Sequence, residues 1–524
     1  MSQILFFFLF LFLIMAAKYP ANKSIPYNAI VRFNPLTQIL LIFHRATEHT
    51  SIALVVSIIV FLLIIARGFC GWMCPVGTGL DIINKFFGKW IRKRGKDIRT
   101  PSLSWKYRIL ISTAILLFTG VSLYWFLDPT SMFTRNTALI IYPIIDGISR
   151  SIVKLLSGLP VIGYPLEKEM RATFNPLPVK SVYLWLFLLI LIGIFSLETI
   201  ARRFFCKVLC PLGALLGWFA NITPFKLVVA KSACSRCSAC VKVCKTHAME
   251  LNDELRIDPT ECILCLACRE VCSSKGLDVF IKSPEFLSNK TGFQKTRRDL
   301  VFGVIGAAVL LPLFKFGDKK FIRPRHLIRP PGAIPEERFC QVCAKCGSCM
   351  KICYTSGLQP VMLEYGLDNL FTPNMVNTIG FCGYECNACG KICPTGAITF
   401  MPLEKKRKAL MGLASIDHTT CWPWSLKKPC LTCEEVCPLP EKAVELEERP
   451  VVFDDGTQDI IKLPHVVKEN CIGCGICENN CPVRPIRAIR VSYENETRGG
   501  EVRETPPRKR RTGFTTSDKT YWKD

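Results

Sequence analysis

The chain has 524 residues, enough for three or more domains, and half of them are hydrophobic. It carries 67 Lys and Arg against 42 Asp and Glu, a net charge of +25, yet no nucleic-acid-binding module is recognisable. Its 29 cysteines exclude the disulfide framework of a small secreted domain, and no Cys-x2-Cys-His motif offers a site for covalent haem.

Residues 4–17 form an apolar run, read as a retained first helix rather than a signal-like segment. Residues 51–66, 109–127 and 182–197 read as membrane spans. The basic stretch from Lys85 to Lys106, and Arg202-Arg203, would then face the cytoplasm. Residues 128–180 would lie outside, packed at the interface or walling a quinol pocket. His44 and His49 read as interfacial residues, with a quinone proton relay as the alternative.

Two short motifs stand at matching places, Cys70-Gly-Trp-Met-Cys74-Pro75 and Cys206-Lys-Val-Leu-Cys210-Pro211. Each follows an apolar run, so the pair looks like an internal repeat. The i, i+4 spacing predicts each pair on one helical face. Together they offer four thiols, which suit one metal cluster, two redox thiol pairs, or four buried small side chains.

Next come Cys234-x2-Cys237-x2-Cys240-x3-Cys244 and, 17 residues on, Cys262-x2-Cys265-x2-Cys268-x3-Cys272. This is the bacterial two-cluster pattern, in which three closely spaced thiolates wrap one [4Fe–4S] cube and the fourth ligates the other. It assigns Cys234, Cys237, Cys240 and Cys272 to one cube, and Cys262, Cys265, Cys268 and Cys244 to its twin. Zinc knuckles use Cys-x2-Cys pairs, often with His, rather than an unbroken run of four. Residues 273–293 read as a linker. Arg297-Arg298 then precedes an apolar run ending at Phe314, which resembles an uncleaved twin-arginine export signal.

Four more motifs follow: Cys343, Cys346, Cys349, Cys353; Cys382, Cys386, Cys389, Cys393; Cys421, Cys430, Cys433, Cys437; and Cys471, Cys474, Cys477, Cys481. Each keeps a Cys-x2-Cys-x3-Cys core, and Cys340 alone is left over. The expected domains are therefore a helical membrane domain at 1–225, a two-cluster ferredoxin at 226–285 and an anchor at 296–316. A four-cluster ferredoxin at 335–495 and a disordered basic tail at 496–524 complete the chain. The fold class is a polytopic α-helical membrane domain followed by two α+β ferredoxin-like modules joined by a transmembrane anchor.

Residues 1–280 resemble the NapH type of membrane ferredoxin, on the two Cys-x3-Cys-Pro motifs followed by two ferredoxin motifs. Residues 290–490 resemble the NapG/MauM type of exported ferredoxin. The marks are the twin arginines, four cysteine motifs, the eight-residue gap from Cys421 to Cys430, and Cys437-Pro-Leu-Pro-Glu-Lys-Ala-Val. The resemblance implies a fusion in the cytoplasmic membrane with its C-terminal module outside. It would carry electrons from the quinol pool through six [4Fe–4S] clusters, and a seventh if Cys70, Cys74, Cys206 and Cys210 ligate one. Its partner would be an extracytoplasmic reductase such as periplasmic nitrate reductase. The alternative is an accessory or maturation ferredoxin for a periplasmic dehydrogenase, as with MauM and MauN. A NosR-like regulator ranks last, because no region has the length for its flavin domain.

Overall fold

A computed structural model describes residues 2–19, 27–43, 52–91, 104–156, 183–251, 254–281, 290–315, 326–452 and 458–502, with residues 175 and 177 besides. His44, His49 and the basic tail beyond residue 502 lie outside the described residues, as does much of 157–182.

The first half is helical, but its helices are short. Ile52–Ile65 has 14 residues, Ser104–Phe118 has 15 and Leu184–Ser196 has 13. At 1.5 Å per residue they reach roughly 20–23 Å, against a hydrocarbon core of roughly 30 Å. Local chemistry sets the ends. Gly120, at φ +90°, closes the Ser104–Phe118 helix. Its N–H donates to the Leu117 carbonyl at 3.0 Å, and Val121 N–H donates to Leu116 at 2.9 Å, the paired bonds of a glycine C-terminal cap. The Leu184–Ser196 helix runs into a 3-10 turn at Leu197–Thr199.

Lys290–Lys315 is longer, at 26 residues, but its N-terminal turns carry Lys295, Arg297, Arg298 and Asp299, and Pro312 sits within it. Asp299 ion-pairs with Arg108 at 2.9 Å, and the Ser112 hydroxyl donates to the Gly303 carbonyl at 2.8 Å, which seats this helix against Ser104–Phe118. No helix among the described residues is long and apolar enough to cross a membrane. The expected polytopic membrane domain, its transmembrane anchor and the multi-pass location are therefore corrected. The chain is mixed α/β with ferredoxin-type domains. Several helices still expose apolar side chains, among them Leu5, Phe8, Val56, Leu189 and Val309.

Among the described residues, the cysteine-rich parts hold five two-stranded antiparallel sheets. Phe225–Val229 pairs with Leu277–Ile281, Leu227 facing Val279, so the segment expected to be a linker after Cys272 supplies a closing strand. Met249–Leu251 pairs with Leu255–Ile257 between the two cysteine loops. In the C-terminal part, Leu413–Ile416 pairs with Ile489–Ser492, and Leu358–Pro360 with Pro373–Met375. Val444–Val452 and Gln458–Val466 form the longest ribbon. Residues 497–499 are tied down: Thr497 N–H donates to the Leu410 carbonyl and Gly499 N–H to Ala333, both at 2.9 Å.

Candidate metal centre

The two short motifs are not continuous helix. Cys70 lies in the Gly68–Trp72 helix, and the proline at 75 starts a new helix, so Cys74 falls in the break. Cys210 is the extended N-cap of Pro211–Phe219, its sulfur accepting from Gly213 N–H at 3.2 Å. The expected single helical face is thus replaced by a helix–proline corner. Proline lacks the N–H that would continue the first helix but suits the first turn of the next. The two corners bring Cys70, Cys74, Cys206 and Cys210 around one cavity, with Arg67, Arg203 and Lys207 in its lining.

The ferredoxin motifs gather in the same way. Cys234, Cys237, Cys240 and Cys272 border one cavity. Cys268 lies within electrostatic reach of Cys262, Cys265 and Cys244. Cys343, Cys346, Cys349 and Cys393 border a second cavity, and Cys389 lies within electrostatic reach of Cys386, Cys382 and Cys353. Cys421, Cys430, Cys433 and Cys481 border a third, while Cys437, Cys471, Cys474 and Cys477 border a fourth. Each set takes three cysteines from one motif and the last from its neighbour. Left-handed residues bend the loops: Arg236 and Ser238, Leu264 and Leu266, Lys345 and Gly347, Gly473 and Gly475 all have positive φ. A short helix follows each loop and delivers the final cysteine to the neighbouring set, as Ala239–Val243 does for Cys244.

The donor chemistry fits a cluster. Burial pushes the Cys206 thiol up to about 12 and Cys343, Cys433 and Cys474 likewise to about 12, so without metal these groups are neutral thiols at pH 7. Cationic iron would restore the thiolates. Thiols in fours around a shared cavity suit a polynuclear core. Cys340 joins none of these sets: its sulfur donates to Asn369 Oδ1 at 3.2 Å, and burial pushes its thiol up to about 11.

The buried cations were not singled out from sequence as part of the site, although a signal existed. Arg67 and Arg203 each stand three residues before the first cysteine of a corner, making the repeat Arg-x2-Cys-x3-Cys-Pro. Arg203 pairs with Asp81 at 2.7 Å and reaches the Cys70 and Gly77 carbonyls at 3.4 Å, joining one corner to the other. Arg67 pairs with Glu261 at 2.8 Å, and Lys106 pairs with the same carboxylate. All three side chains are at most 3% exposed. Lys207 Nζ lies 2.7 Å from His247 Nδ1.

Such a chain is a ferredoxin-type iron–sulfur electron-transfer protein. A family model described as a 4Fe-4S binding domain matches residues 48–94 and again 183–229, each containing one corner, and a second of the same description matches 464–487. The ferredoxin-type protein MauM of methylamine utilization from Methylorubrum extorquens is 36% identical, over 34% of this chain and 77% of that protein. MauM of Paracoccus denitrificans is 34% identical, over 42% of this chain and 97% of its own length. The ferredoxin-type protein NapG of Escherichia coli is 35% identical, over 29% and 65%. The chain belongs to the MauM family of ferredoxin-type proteins. No solved structure matches it.

Proposed function

We propose that this protein relays electrons singly along seven [4Fe–4S] clusters to or from a redox partner protein. Six are held by the ferredoxin quartets: Cys234, Cys237, Cys240 and Cys272; Cys262, Cys265, Cys268 and Cys244; Cys343, Cys346, Cys349 and Cys393; Cys382, Cys386, Cys389 and Cys353; Cys421, Cys430, Cys433 and Cys481; Cys471, Cys474, Cys477 and Cys437. The seventh is held by Cys70, Cys74, Cys206 and Cys210. The observation that carries this is the exchange of the fourth cysteine between neighbouring motifs, which holds cubes close in pairs.

The units are a NapH-like cysteine repeat, a two-cluster module at 226–285 and a MauM-like four-cluster module at 335–495. The quinol donor implied by the NapH resemblance has no support in the described helices. Likeness to MauM over most of that protein's length favours service to a dehydrogenase system, with a reductase such as periplasmic nitrate reductase as the second reading. Anaerobic purification with iron and sulfide analysis tests the relay: about 28 irons per chain are expected at four per cube. About 24 would empty the Cys70 quartet, and bound zinc with little iron would overturn the reading.

A further inference from the structure

The two ferredoxin modules do not hold all the gathered cysteines. The quartet Cys70, Cys74, Cys206 and Cys210 stands between them, with a module against each side. On one side, the Cys262 loop presses on the first corner. A Cβ on Gly71 would sit 2.0 Å from the Ile263 carbonyl oxygen, so only glycine permits this approach. Trp72 Nε1 donates to the Leu264 carbonyl at 2.8 Å. Ile263 and Thr246 line the quartet's own cavity, and the Thr246 hydroxyl lies 3.8 Å from the Cys244 sulfur.

On the other side, Cys74 and Cys210 share one buried apolar cluster with Ala344 and Cys346, to which Met132 and Phe133 also belong. Arg135 and Trp125 fasten that face: Arg135 Nη1 donates to the Lys345 carbonyl at 3.3 Å and Trp125 Nε1 to Gln341 at 3.0 Å. Beyond it the C-terminal module is continuous. Cys349, Cys389 and Cys393 pack in one cluster, and Cys382 N–H donates to the Cys474 carbonyl at 2.9 Å, joining the first pair of motifs to the second.

We propose that the Cys70, Cys74, Cys206 and Cys210 quartet is the junction through which the 226–285 and 335–495 modules exchange electrons within one chain. The inference rests on the relay reading. One electron enters from a reduced one-electron donor at one end, and one leaves to an oxidised acceptor protein at the other. No covalent bond forms or breaks. Arg67 and Arg203 are positioning residues: each ties a corner to a neighbouring element and places a fixed positive charge beside the four thiolates.

The test uses the full chain with a ruthenium photoreductant attached at the exposed Glu270 position through Glu270→Cys. After a flash, reduction of the C-terminal clusters should be first order and independent of protein concentration. Cys206→Ala, and separately Cys70→Ala, should abolish that phase while the EPR signals of the six ferredoxin clusters persist. The remaining transfer should rise with protein concentration, as collisions between chains require. A concentration-independent phase that survives in these variants overturns the junction while leaving the relay intact. So does a ruthenium-labelled parent carrying Glu270→Cys alone whose C-terminal reduction is already collisional, whether or not the cysteine variants assemble. A parent that holds no iron overturns the relay itself.

Discussion

Glu261→Gln probes the seam between the helical part and the first ferredoxin module. In the native chain one buried carboxylate meets two buried cations, Arg67 at 2.8 Å and Lys106. Removing one partner of a buried pair costs about 3–5 kcal/mol, because the partner charge is left uncompensated. The lower end is expected. Burial, with help from Arg67, already lowers Lys106 to about 8 against the pull of Glu261. Once the carboxylate is gone its pKa falls further, Lys106 sheds its proton near neutrality, and only Arg67 stays as an uncompensated charge.

A loss of about 3 kcal/mol corresponds to a roughly hundredfold larger opened population. Hydrogen exchange at residues 254–281 reads this directly, since local opening of the module exposes those amides. The pH dependence adds a second arm. Burial would raise the Glu261 carboxyl, but Arg67 and Lys106 outweigh it and hold it below the usual carboxylate range. Its contribution is therefore complete above the unfolded value of about 4.3 and fades as pH falls through the lower folded value. The native chain should show this acid loosening, and Glu261→Gln should lack it. Unchanged exchange at neutral pH in the variant would refute the argument that this ion cluster holds the seam.

Gly71→Ala should push the corner off the Ile263 carbonyl and raise exchange in the same module, while the C-terminal iron stays in place; wild-type exchange would show that the contact yields freely. Cys340→Ala should keep the full iron content and cost about 0.5–1.5 kcal/mol for one lost hydrogen bond, seen in a thermal melt. Loss of about four irons would make Cys340 a ligand after all. Asp128→Ala removes an N-cap that accepts from Ser131 N–H, and from the Tyr124 and Thr130 hydroxyls, each at 2.7 Å. It should cost about 1 kcal/mol for the cap, plus about 1–3 kcal/mol for the buried donors left behind. An Asp128→Ala melting temperature equal to the native one would exclude both terms.

What the sequence determined is whatever depends on short spacing. A Cys-x2-Cys-x2-Cys loop can wrap only its immediate surroundings, so the likeness to the ferredoxin families was legible in cysteine positions. The matching corners at Cys70 and Cys206 were legible as a repeat for the same reason. Tertiary structure decided the rest. Hydropathy registers apolar runs but not where a helix stops, and Gly120 ends one at Phe118 although the apolar run continues to Leu127. A spacing of four residues suggested one helical face, whereas the prolines at 75 and 211 turned each pair into a corner. Arg203 reads as a loop charge in the sequence, whereas Asp81, distant in sequence, closes on it, as Glu261 does on Arg67. The gathering of Cys70, Cys74, Cys206 and Cys210 joins residues 136 positions apart and packs them beside Ile263 and Ala344. No local pattern encodes that arrangement, because it is fixed by packing between segments that meet only once the chain has folded.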